Sequence, residues 1–243
     1  WDTALRMMND NQVKPNLTQI FISIIKILYS SEYSKKIIYK NCHSAFMGHN
    51  VYAHKIIVSE LVNAKVNVFC QVLYSYFKKD FKENFWGTVT YPELKKINNI
   101  KKVEKYFKKK IAGKGNYEDS NLAANLKFKK KTSEFPKNVI FLHIFRDSPF
   151  GIIDNSRIFK DYFEWIEFTL KIICKSEEKW LFKIHPSVKR WGEDSQSILR
   201  NMINKYGSNK NIIIDKDTYS NFDIFKHSKR IVTFNGTSHL ESI

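Results

Sequence analysis

From Pro136 onward the chain repeats one pattern four times: a short apolar run, a polar loop, then a helical stretch. The runs lie at residues 139–145, 180–184, 212–214 and 230–234. Runs this short and this apolar read as strands buried on both faces. Buried strands that alternate with helices call for a parallel sheet, because each helix carries the chain back to the same sheet end. The reading is therefore an α/β, doubly wound domain over 136–243. The helices are expected from Asn155 or Ser156 to 175, over 193–206 with Gly207 as the stop, and over 221–227.

The first 73 residues read as a smaller and incomplete α/β domain. Residues 14–29 form a helix capped by Asn16, with Ile20, Ile24, Ile27 and Leu28 on one face. Strands are expected at 35–39, 44–47 and 66–70, with a helix over 52–63, giving the order β-β-α-β. Residues 74–135 differ. They are polar, Lys-rich and studded with aromatics, with a helix expected over 92–110, a break at Gly113-Lys-Gly115 and a second helical piece at 121–131. We take them as a Lys-rich helical linker or peripheral segment between the two domains. The longest apolar stretch, Ile20 to Tyr29, is interrupted by Ser23 and Lys26 and is too short to span a bilayer. The sequence begins at Trp1 and not at Met, so it is expected to be a fragment, truncated in its C-terminal domain as well.

Charge narrows the partners. Net charge is +17, and residues 95–131 hold thirteen Lys against Glu104, Glu118 and Asp119, so 13 − 3 = +10 sits in that segment. A concentrated basic segment attracts an anionic membrane surface or an acidic glycan. Only six of the 41 basic residues are Arg, the side chain that reads bases bidentately, so nucleic acid is not the expected partner. Cys42, Cys70 and Cys174 are few, odd in number and far apart, which argues against a disulfide framework and fits a reducing compartment. His43, His49 and His54 have no Cys or carboxylate to complete a zinc set. The chain contains no G-x-G-x-x-G, no G-x-x-x-x-G-K-[ST] and no G-x-S-x-G, which removes dinucleotide enzymes, P-loop NTPases and α/β-hydrolases.

Polar residues collect where the strands end, the place where doubly wound sheets bind ligands. His143, Arg146 and Asp147 lie in or after the first run. His185, Pro186 and Ser187 follow the second. Asn235, Gly236, Thr237 and Ser238 follow the fourth, with Glu241 one turn into the next helix. The Asn-Gly-Thr-Ser turn offers backbone N–H groups and hydroxyls at a helix start, which suits a phosphate, and Glu241 could instead close a capping box. Pro186 ends the ladder and forces a turn, so His185 is free to aim into a cleft, or to be satisfied by a loop carbonyl.

Taken in order, several segments resemble one family. They are Phe141-Leu-His-Ile-Phe-Arg-Asp-Ser148, Trp180-Leu-Phe-Lys-Ile-His-Pro-Ser187 and Val232-Thr-Phe-Asn-Gly-Thr-Ser-His-Leu-Glu241. They resemble the donor-binding half of bacterial capsule and surface-polysaccharide glycosyltransferases of the GT-B fold, which has two Rossmann-like domains with parallel sheets. Met47-Gly-His-Asn-Val-Tyr52 is similar to a segment of their acceptor domain. The resemblance implies an acceptor-side domain over 1–73 and a nucleotide-sugar domain over 136–243. It implies His185 as the catalytic residue. Donor and phosphate contacts would come from His143, Arg146, Asp147, Ser187, Asn235, Gly236, Thr237, Ser238 and Glu241. His49, Asn50 and Tyr52 would lie on the acceptor side. It further implies metal-independent transfer without a cofactor, from a CMP- or UDP-sugar to a polysaccharide or lipid-linked glycan, in the cytoplasm or at the inner membrane face. Two alternatives stay open: a polyol-phosphate transferase of teichoic-acid type, and a non-catalytic module gripping an anionic polymer through 95–131.

Overall fold

The structure is a computed structural model. It describes residues 1–38, 40–48, 52–72, 75–79, 101, 104–105, 108–109, 114, 135–147, 158–207, 210–215 and 218–234. The chain divides into two units that exchange segments. One holds 1–8, 14–95 and 146–160; the other holds 9–13, 96–145 and 161–243. The class is mixed α/β with parallel strand pairing in both units.

In the first unit, α1 (Asp2–Leu5) and α2 (Leu17–Ile38) precede β1 (Ser44–Met47), α3 (His54–Asn63), β2 (Asn67–Val72) and β3 (Ser75–Lys79). β1 and β2 pair in parallel, as a βαβ crossover through α3 requires. β3 then folds back antiparallel onto β2, so the sheet is mixed and not wholly parallel. The core is one-sided: Val68 and Cys70 pack with Val58 and Leu61 of α3, and Ala45 and Met47 join them.

Two expectations for this unit are corrected. Residues 35–38 are not a strand. They are the last turns of α2, where Lys35 and Lys36 face the negative end of the helix dipole. The helix also does not bury the face that periodicity suggested. Ile20 and Ile27 are half-buried, whereas Ile24 and Leu28 are exposed and Ser23 and Ser34 are buried. Serine tolerates this because each hydroxyl bonds the carbonyl one turn back: Ser23 to Gln19 at 2.8 Å and Ser34 to Ser30 at 3.0 Å. Ser31 reaches further, donating to Glu60 of α3 at 3.1 Å.

The second unit carries a four-stranded sheet built from β4 (Asn138–Phe141), β5 (Trp180–Lys183), β6 (Ile212–Asp215) and β7 (Arg230–Thr233). Its order is β6-β5-β4-β7 and every pair is parallel. The helices are α4 (Tyr162–Ile173), α5 (Ser195–Lys205) and α6 (Asn221–His227). The path steps outward from β4 to β6 and then jumps back to the far side of β4. Right-handed crossovers then place α4 and α5 on one face and α6 on the other. Ile224 of α6 accordingly packs on Val139, Phe141 and Leu181. Ile140 and Phe182, one residue out of phase, are fully buried on the opposite face.

Two element bounds of this unit differ from the sequence reading by more than two residues. β4 stops at Phe141, because its neighbours stop at Lys183 and Thr233; only Leu142 N continues the pairing, donating to Lys183 O at 2.9 Å. α4 begins at Tyr162 and not near Asn155 or Ser156, which lie outside the described residues. Asp161 caps it, accepting from Glu164 N at 2.9 Å. Gly207 does end α5, at φ +93°, where a side chain would be strained. Of the Lys-rich segment, 101, 104–105 and 108–109 are helical and exposed.

Glu167 links the two helices of one face. It accepts from Lys205 Nζ at 3.0 Å and from the Tyr206 hydroxyl. The Tyr206 bond, then Lys205, holds its carboxyl below the usual carboxylate range. A carboxyl lowered by folding contributes stability above its unfolded pKa and loses it as pH falls through the folded value. The urea midpoint should therefore fall as pH drops below about 4. The fall should be smaller in Glu167→Gln, which has nothing to titrate there.

Candidate active site at the strand ends

The strand order marks one end of the sheet in the second unit as the place to look for a ligand site. Connections leave β4 toward β5 on one side and arrive at β7 on the other. The strand ends around β4 are therefore a topological switch point, the place where doubly wound sheets bind ligands.

Residues just past three strands meet there. The His143 ring, two residues after β4, stacks on Tyr162 with centroids 4.9 Å apart and planes 11° apart. The His185 ring, two residues after β5, lies 5.4 Å from it at a tilt of 39°. Phe234, directly after β7, meets Tyr162 edge-on at 5.3 Å and Trp165 at 5.5 Å. Tyr162, in the first turn of α4, thus backs the His143 ring, and His185 lies beside that ring, both imidazoles half-buried. The half-buried faces of His143, His185 and Phe234, beside imidazole nitrogens, suit a base or sugar carrying a phosphate.

His185 is held by its own loop. Ser187 N donates to its Nδ1 at 3.2 Å, so the neutral ring carries its proton on Nε2. A backbone N–H is therefore one of the groups that brace the ring. Ser187 itself is buried, and the turn continues through bonds from Val188 N to His185 O and from Arg190 N to Ser187 O. Gly192, at φ +61°, finishes the turn.

Two buried charged groups brace this loop. Glu193 accepts from Phe145 N at 3.0 Å and from the Ser195 hydroxyl, which ties the chain past β4 to the start of α5. Lys183, the last residue of β5, donates to Asp215 at 2.7 Å and to Tyr219 O at 2.6 Å. Asp215 also accepts from Thr218 N at 2.8 Å. Both were missed in the sequence. The signal was there: a Lys closes an apolar strand immediately before Ile184-His185, and an Asp closes the next strand in register with it.

No family model matches the chain, and no curated protein or solved structure does either. The site therefore rests on its own geometry.

The other candidates fall elsewhere. Arg146 and Asp147 belong to the first unit. Arg146 donates to Met8 O at 2.7 Å. Asp147 accepts from the Tyr52 hydroxyl at 2.6 Å and lies 3.7 Å from Arg6, whose guanidinium stands 5.0 Å over the Tyr52 ring. Burial, and after it the charge of Asp147, keeps the Tyr52 phenol protonated well above its usual range. Tyr52 also sits at φ 54°, a left-handed conformation uncommon outside glycine. So Tyr52 and Asp147, placed by the sequence on acceptor and donor sides, form one polar cluster. His49, Asn50, Asn235, Gly236, Thr237, Ser238 and Glu241 lie outside the described residues. Among the described residues no group of His, Cys, Asp or Glu is placed to hold a metal ion.

The opposite sheet edge differs in kind. Asn138 donates to Lys179 O at 3.0 Å and accepts from Arg230 at 3.0 Å, and Arg230 also pairs with Glu178. A cavity of 300 Å³ there is lined by Cys174, Tyr206, Gly207 and Asn211. It shares no lining residue with the strand-end cluster.

Proposed function

We propose that the chain belongs to a GT-B glycosyltransferase and carries its donor-binding domain, moving a sugar from a CMP- or UDP-sugar to a bacterial capsule or surface polysaccharide. The observation that carries this reading is the meeting of His143 and His185 at the carboxyl edge of the switch-point sheet. The nucleotide would lie against the half-buried His143 and Phe234 rings, with its phosphate toward His185 Nε2. The turn at Asn235–Ser238 would add backbone donors. Negative charge grows on that phosphate as the sugar departs, and a fixed N–H donor stabilises it more in the transition state than before. No step in this scheme calls for a metal. The cytoplasmic side of a membrane is the proposed location; the described helices include none long and apolar enough to cross one.

Thermal shift with CMP, UDP, GDP and CDP-glycerol tests the reading. A ligand at a hundredfold excess over its Kd adds about 2.7 kcal/mol to stability. A nucleotide that raises Tm in the unmodified chain and fails in His143→Ala supports the site. Stabilisation by CDP-glycerol alone would favour the polyol-phosphate transferase. Stabilisation by none of them would end the reading.

A second reading is favoured by the exposure of Lys101, Lys105, Lys108, Lys109 and Lys114. These would hold an anionic polymer or membrane surface. Lys108→Glu with Lys109→Glu should weaken binding to anionic vesicles and flatten its salt dependence. Unchanged, salt-sensitive binding would remove this segment as the contact.

A further inference from the structure

Helix α2 faces the wrong way for a surface helix. Leu17 is 85% exposed, Phe21 62% and Leu28 60%, while Ser23 and Ser34 are 4% and 0%. At about 100° per residue, Leu17, Phe21, Ile24, Ile25 and Leu28 share one arc about 100° wide. The side turned inward, toward α1 and α3, carries Ser23 and Ser34 with the half-buried Ile20 and Ile27, and the apolar arc is left outward. Apolar patches of this kind on a soluble unit mark an interaction surface.

We propose that this arc docks α2 onto an anionic lipid surface, lying in the membrane plane at the headgroup–acyl boundary. The helix is a candidate to lie and not to span, since none of the described helices is long and apolar enough to cross a membrane. Lys14, Lys36 and Lys40 are exposed around its two ends, and the whole chain carries +17, which complements anionic headgroups. A second copy of the chain fits less well. Two such helices about 33 Å long and about 11 Å wide would cover roughly 700 Å² in total, short of the roughly 1,200 Å² of a stable dimer. The inference does not rest on the glycosyl-transfer reading, and nucleotide binding is measured separately from it.

The experiment is hydrogen exchange on the unmodified chain, with and without vesicles of phosphatidylcholine and phosphatidylglycerol, alongside co-sedimentation. Exchange in α2 should slow when vesicles are added, while α4 stays unchanged. Phe21→Glu with Leu28→Glu should lower vesicle partitioning by about tenfold or more. Lys108→Glu with Lys109→Glu should leave the protection of α2 in place. Unaltered α2 exchange in the presence of vesicles would overturn the proposal. So would a dimer that dissociates in the Phe21/Leu28 variant, which would assign the face to a second copy. A lipid-free collapse of that variant's Tm would assign the face to the chain's own interior and equally overturn it.

Discussion

His185→Ala is expected to lower kcat for sugar transfer by on the order of 100–1,000-fold, with only a modest change in donor KM. The reason lies in the ring's tautomer. Ser187 N donates to Nδ1, so in the proposed reading the group that would meet a phosphate is an Nε2–H. Its interaction strengthens as charge develops, which lowers the barrier without tightening ground-state binding. His185→Gln separates the two roles an imidazole could have. An amide N–H placed near the Nε2 position keeps a donor but transfers no proton. Partial recovery in the Gln variant would mark His185 as an electrostatic donor, and no recovery would mark it as a proton source. Glu241→Ala, if that residue meets the remote ribose, should mostly raise KM. An intact kcat in the Ala variant would reduce His185 to a residue that shapes its own loop.

The largest stability effect should come from Asp215→Asn. The substitution preserves shape and leaves the Lys183 ammonium buried without its carboxylate. Breaking one side of a buried pair costs about 3–5 kcal/mol, a large share of the roughly 5–15 kcal/mol that holds a domain together. In a chain of this size that is a Tm drop of roughly 6–20 °C. Replacing both partners, Lys183→Met with Asp215→Leu, should recover part of it, because no charge is then stranded. Full recovery is not expected, since Thr218 N would lose its acceptor. Calorimetry on the single and double variants reads both outcomes. A silent Asp215→Asn would mean water reaches the pair.

The second unit was largely legible because its signals are local and redundant. Each β strand was a run of apolar residues ended by a helix cap, a Gly or a Pro, and Gly207 stopped α5 as its freedom at positive φ requires. The caps of α4 were misplaced because Asp161 lies in the middle of an aromatic-rich stretch that reads as helix on either side of it. In the first unit, periodicity failed at α2. Hydropathy alone sends Ile24 and Leu28 inward, and it cannot see that Ser23 and Ser34 satisfy themselves on their own helix and pack where space is tight. Ile37 and Ile38 are β-branched and pulled the reading toward a strand, but a helix already running through Ser34 extends at little cost per residue. The placement of His143 and His185 just past neighbouring strand ends was legible, because apolar runs mark where the strands stop. Glu193 and Lys183 were not, because their value lies in partners 48 and 32 residues away. Tyr52 and Asp147 were each singled out, yet nothing in the sequence joins two residues separated by 95 positions.

The position of β7 sets a timetable for folding on the ribosome. β4 is flanked by β5 and β7, and its pairing with β7 begins at Asn138 and Arg230, 92 residues apart. At ~5–20 residues per second, one edge of β4 waits roughly 5–20 seconds after it emerges before its second neighbour has been synthesised. During that interval Val139, Ile140 and Phe141, all buried in the finished sheet, border an unpaired strand edge. Nascent chains stalled before Arg230 should therefore associate with holdase chaperones, and release should coincide with the emergence of Thr233. Slowing translation across residues 184–229 would lengthen that exposure and lower soluble yield without altering a single contact of the folded protein.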